Sequence, residues 1–86
     1  SIQPVDDDIK AALKLKEAKG ALVAEVIPGT PAAKAGLTDG DLIQKLNGRE
    51  LSDPRDLTRS ISALPPGEKA RLTVLRNGAE KIVTVT

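Results

Sequence analysis

Hydrophobic and polar positions change their period several times along the chain, and each change predicts an element. Ser1 to Val5 alternates weakly and suits an edge strand, because Pro4 has no N–H to give a ladder on both sides. Asp6-Asp7-Asp8 opens a helix, with Asp6 as cap and the next two carboxylates in the favourable N-terminal field. Ile9, Ala12 and Leu13 make its apolar stripe, Lys14 and Lys16 suit its far end, and Gly20 closes the segment. Ala21 to Ile27 (ALVAEVI) is almost unbroken apolar chain, which predicts a strand running through the middle of a sheet. Thr30, Pro31 and Gly36 are a cap, a first-turn proline and a left-handed stop around a short helix, Pro31 to Ala35. Asp39-Gly40-Asp41 turns into a buried strand, Leu42 to Leu46, closed by Asn47-Gly48. Asp53-Pro54 opens a longer helix to Leu64, in which Leu57, Ile61 and Leu64 recur at i, i+4 and i+7. After Pro65-Pro66-Gly67, two strands, Lys69 to Arg76 and Ala79 to Thr86, flank a second hairpin signal, Asn77-Gly78. The order β-α-β-α-β-α-β-β predicts an α+β chain, mainly β: a small, strongly bent sheet covered by helices.

Composition narrows what such a domain does. Its 86 residues allow one domain, and Leu, Ile, Val and Ala supply the whole of its 40% hydrophobic content. A net charge of +1 gives no electrostatic case for nucleic acid or an anionic membrane, and there are no aromatic rings on which bases could stack. No apolar run approaches the ~20 residues of a membrane span, and no signal peptide is visible. Without His or Cys neither a Ser-His-Asp arrangement nor a thiol nucleophile can be assembled. Ser52, Ser60 and Ser62 suit turn and helix-surface roles. The aspartate triplet lacks the glycine and distal glutamate of a calcium loop, and the glycines are spaced as turns rather than as a nucleotide fingerprint. Catalytic residues, metal ligands and cofactors are therefore not expected. The lack of any Met, including at position 1, reads as a piece of something longer.

In its order and spacing, TPAAKAGLTDGDLIQKLNG (Thr30 to Gly48) resembles the central signature of PDZ domains. The wider chain resembles the PDZ domains of HtrA/Do-type (high-temperature-requirement) periplasmic serine proteases. SIQPV, the DDDIKAALKL helix, KGALVAEVIPGTPAAKAGL and PPGEKARLTVLRNG match that type segment by segment. The resemblance implies a single PDZ domain over 1–86: a small bent β-sandwich or partly open barrel of five to six strands, capped by two to three helices, in the bacterial permuted strand order. In that family a hydrophobic-Gly-hydrophobic loop precedes the first strand and holds a ligand's terminal carboxylate. It is expected just upstream of residue 1.

What the resemblance implies about function is recognition of C-terminal or extended hydrophobic polypeptide segments by β-augmentation. By residue-wise carry-over the pairing edge is Ser1, Ile2, Gln3 and Pro4, with Ile2 pairing the ligand's third residue from its end. The opposite wall is the Pro54–Leu64 helix, with Leu57 and Ile61 as pocket floor and Thr58 and Arg55 at the rim. The same aliphatic stripe also suits plain core packing, and a helix rotated by one residue would exchange Leu57 and Thr58. The implied partners are unfolded or tail-exposing polypeptides and the protease domain of the same chain, in a homo-oligomeric periplasmic serine endopeptidase serving protein quality control. Two other settings stay open: a structural contact module that binds no free peptide, and a filter in a site-2 or carboxy-terminal processing protease.

Overall fold

Two Asn-Gly turns set the register of the sheet. The computed structural model describes residues 1–86. In it Asn77 (φ 51°) and Gly78 (φ 80°) form a two-residue turn with both residues left-handed, the geometry that matches strand twist. It joins β5 (Ala70–Arg76) to β6 (Ala79–Val85), paired continuously from Arg76↔Ala79 to Ala70↔Val85. Asn47 (φ 50°) and Gly48 (φ 84°) repeat the device between β3 (Leu42–Leu46) and a two-residue β4 (Arg49–Glu50). That short strand has no hydrophobic alternation of its own, so sequence pattern did not reveal it. The Asn47 side chain adds a bond of 2.9 Å from the Arg71 N–H, tying this turn to β5.

The remaining strands are β1 (Ile2–Pro4) and β2 (Ala21–Val23). All neighbours are antiparallel in the order β1-β2-β3-β5-β6, with β4 on the far half of β3. The six-stranded sheet is open, so β1 and β6 both present unpaired edges. β2 is shorter than its apolar run predicts, because the amides beyond Val23 leave the ladder. Ala24 and Glu25 both donate to the Ser1 carbonyl, and the Val26 N–H goes to the Asp39 carboxylate at 2.8 Å.

Each helix opens on a side-chain cap that accepts an otherwise unpaired first-turn N–H. Asp6 caps α1 (Asp7–Ala12), Thr30 caps α2 (Pro31–Ala35) and Asp53 caps α3 (Pro54–Ser62). The expected stripe on α1 is not buried: the helix stops at Ala12, Lys14 turns left-handed at φ 56°, and Leu13 remains exposed. The core instead gathers Val23, Leu37, Ile43, Leu46, Leu51, Leu57, Leu72, Val74 and Val83 between the sheet, α2 and α3.

Two carboxylates enter this interior. Asp41 is 1% exposed; Arg76 clasps it with Nε at 2.8 Å and Nη2 at 2.7 Å, and the Thr38 amide and hydroxyl each add a bond of 3.0 Å. Burial pushes its pKa up, but the Arg76 and Thr38 bonds outweigh it and hold the carboxyl below its ordinary range. Asp56, on α3, accepts from the Ser52 amide and from Arg49, Ser52, Arg59 and Ser60 side chains. The Ser52 amide first, then Arg49, drives its carboxyl well below the usual carboxylate range.

Because both native pKa values lie below the unfolded ones, their stabilisation is complete at neutral pH and is lost as pH falls through the native values. The urea midpoint should be flat from about pH 8 to 5 and drop steadily below that. Asp41→Asn and Asp56→Asn should each lower the midpoint at pH 7 and flatten the acid limb; an unchanged acid slope in both contradicts this assignment. A second prediction concerns Gly20 (φ 100°), where an added Cβ would lie 2.6 Å from the Ile43 carbonyl oxygen. Gly40 (φ 89°) has open space at the same position, so it isolates the backbone strain of about 1–3 kcal/mol. Thermal melts should show Gly20→Ala losing clearly more stability than Gly40→Ala; equal losses contradict the close approach.

Candidate functional site

The free edge of β1 is built by strand alternation. The Ala24 N–H donates to the Ser1 carbonyl at 2.9 Å, and the register pairs Ile2 with Val23, Gln3 with Leu22 and Pro4 with Ala21. Bonded and non-bonded pairs alternate in an antiparallel ladder. Ser1, through its carbonyl and terminal amino group, and Gln3 therefore face β2, while Ile2 and Pro4 turn their backbone groups outward. Pro4 loses nothing at an outward position, since no ladder bond is missing there. An incoming strand meets a donor and acceptor at Ile2, and an acceptor alone at Pro4.

Beside this edge, α3 closes an open apolar cavity of about 510 Å³. Thirteen of its 20 lining residues are hydrophobic, so an apolar side chain is what it can desolvate. Ile2 and Val23 line the strand side, Leu57, Ile61 and Leu64 the helix side, and Ile43 and Leu72 the floor. Leu57 is 4% exposed and belongs to the core as well, whereas Ile61 is 44% exposed. Of the five large hydrophobic residues left exposed, Ile2, Ile27 and Ile61 all border this one cavity. Such a concentration marks an interaction site more than scattered exposed side chains do.

Of the residues singled out in the sequence, Ser1, Ile2, Leu57 and Ile61 come together in the lining. Gln3 and Pro4 carry the edge onward beyond it. Arg55 and Thr58 are exposed on α3 outside the lining, and the Thr58 hydroxyl donates back to the Pro54 carbonyl at 3.1 Å. A one-residue step turns a helix by about 100°, so Leu57 and Thr58 cannot both face the cavity. Sequence reasoning did not foresee Val26, Ile27, Thr30, Pro65 and Pro66 in the lining. The prolines read as a helix stop, yet the same stop leaves their rings at the cavity mouth. Asp56 fixes the rotation of α3 by its bonds to Ser52 and Arg49, keeping Leu57 inward. No group of three or more His, Cys, Asp or Glu side chains converges as a metal site would require.

Known proteins share the fold. The PDZ domain family pattern matches residues 3–86. A probable periplasmic serine endoprotease DegP-like of Brucella suis biovar 1 (strain 1330) is 51% identical over 85 residues, or 99% of this chain. Its counterpart in Rhizobium meliloti (strain 1021) is 48% identical over 84 residues, or 98% of this chain. The chain spans 17% of the length of each of these relatives. Among solved structures, the HtrA-type protease AlgW with a decapeptide superposes with a TM-score of 0.82 at 33% identity, covering 99% of this chain and 26% of that one. The HtrA3 PDZ domain bound to a phage-derived ligand (FGRWV) superposes with a TM-score of 0.83 at 26% identity, covering 100% of this chain and 78% of that one. The family match runs from Gln3 to Thr86, nearly the whole chain, and the chain belongs to the PDZ domain family.

Proposed function

We propose that this chain binds extended polypeptide segments with apolar side chains, by adding them as a strand to the outer edge of β1. The observation that carries the reading is the juxtaposition of an unpaired edge at Ile2 with the 510 Å³ apolar cavity under α3. A ligand strand would bond the Ile2 amide and carbonyl and bury one side chain between Ile2, Leu57 and Ile61. Ser1 and Gln3 would shape the edge, while Arg55 and Thr58 would touch ligand residues lying outside the cavity. Beyond Pro4, which offers no N–H, ordered pairing would fade. Amides for a ligand's terminal carboxylate would come from a hydrophobic-Gly-hydrophobic loop of the kind that precedes the first strand in the family the chain resembles.

The relatives' names extend the reading to the parent. There the module would present tail-exposing or unfolded polypeptides to the protease domain of a periplasmic, HtrA-type serine endoprotease, as one part of an oligomer. Support comes from 51% identity to a protein named as a probable periplasmic serine endoprotease, and from superposition on two proteins named with bound peptides.

An NMR titration with a short, aliphatic-ended peptide tests this directly, in free-acid and amidated forms, on this chain and on a form extended upstream. Shifts centred on Ser1–Gln3 and Leu57–Ile61, larger for the free acid in the extended form, are expected. Ile61→Ala should weaken binding roughly fivefold to tenfold while leaving the fold nearly as stable, since only part of that side chain is now buried. Leu57→Ala should instead cost about 2–5 kcal/mol of stability, being a core truncation. Absence of shifts in either form, or unaltered affinity in Ile61→Ala, contradicts the reading and leaves a structural contact role.

A further inference from the structure

Resting on the groove reading above, we propose that the cavity selects apolar segments carrying a lysine or arginine beside the anchoring side chain, held by Glu25 and Glu68. The chain has 13 basic side chains against 12 acidic ones, yet no Lys or Arg lines the cavity. Its only charged lining side chains are those two glutamates; the other charges in the lining are the Ser1 ammonium, which donates to the Glu25 carbonyl, and the Thr86 terminal carboxylate. Both glutamates are exposed, and neither belongs to any of the four ion pairs of the chain.

Their backbones are fixed on different walls. Glu25 follows β2, its N–H donating to the Ser1 carbonyl at 3.3 Å and its own carbonyl accepting from the Ser1 nitrogen at 2.9 Å. Glu68 sits in the turn that leads from α3 toward β5, its N–H donating to the Pro65 carbonyl at 3.1 Å. A segment whose apolar side chain fills the cavity thus comes beside two carboxylates that no ion pair engages, along low-dielectric walls that focus their field. A cation next to the anchor gains from both; a carboxylate there is repelled by both.

The test uses three peptides that share one apolar anchor and differ only beside it, with Lys, Ala or Glu. Affinities are read by NMR titration at low and high salt. The Lys peptide should bind the chain about threefold to tenfold more tightly than the Glu peptide, the range expected of two solvent-accessible charge pairs. In 0.5 M NaCl, where the Debye length falls to a few ångströms, that ratio should approach one. The double variant Glu25→Gln/Glu68→Gln should bind the Lys and Glu peptides alike at either salt concentration. Equal affinities for Lys and Glu peptides in the unaltered chain overturn the inference while the Ala peptide still binds, as does a preference that survives in the double variant. If none of the three binds, the groove reading fails and this inference fails with it.

Discussion

The carboxylate of Asp41 is the point on which the chain turns. Its side chain receives two bonds from Arg76 at the end of β5, and two from Thr38 after α2. Arg76 also reaches the Gly36 carbonyl at 2.9 Å, closing the C-terminus of α2. Meanwhile the Asp41 carbonyl accepts the Val23 N–H at 2.8 Å, and the Gly40 N–H returns to the Val23 carbonyl at 2.7 Å. One residue therefore joins a helix end, the entry to β3, the exit of β5 and the last residue of β2. A core without an aromatic ring, in which 16 of 86 residues are buried, has little apolar packing to spare for such joints. A buried charge is stable there only because every one of its oxygens is met by a donor.

The groove inherits its shape from that joint. Val23 stands opposite Ile2, so fixing Val23 fixes the depth at which β1 meets the cavity. Asp39, two residues before Asp41, draws the Val26 amide away from the ladder and turns Val26 and Ile27 to the cavity's side. The helix wall is set separately by Asp56, a second carboxylate saturated with donors, which holds α3 to the Ser52 backbone and to Arg49. The two walls of the cavity are thus placed by polar bonds outside it, and the lining itself stays apolar and free for a ligand.

Much of this was legible in the sequence, for local reasons. Asn-Gly pairs, the Thr30-Pro31 and Asp53-Pro54 starts and the stop at Gly36 act within a few residues, and each lies where the pattern indicated. The spacing of Leu57, Ile61 and Leu64 marked the helix face at the cavity. What sequence periodicity could not show were effects that depend on distant partners. The run after Val23 is apolar enough for a strand, but Asp39 and Ser1 claim its amides. The stripe on α1 had no surface to meet, and Arg49–Glu50 pairs only because the Asn47-Gly48 turn returns it to β3. The roles of Asp41 and Arg76 were equally hidden, since the two meet across 35 residues of sequence. Nor did charge counting over the whole chain reveal that the only charged side chains in its cavity lining are two glutamates.

The central claim is that Ile2 presents its amide outward while Gln3 is already paired inward. Amide hydrogen exchange at single-residue resolution, with and without a saturating aliphatic-ended peptide, tests it most directly. The Ile2 amide should exchange rapidly in the free chain and become protected on binding, while Gln3 changes little. Protection that appears at Gln3 and leaves Ile2 fast would contradict the outward edge, and with it strand addition at β1.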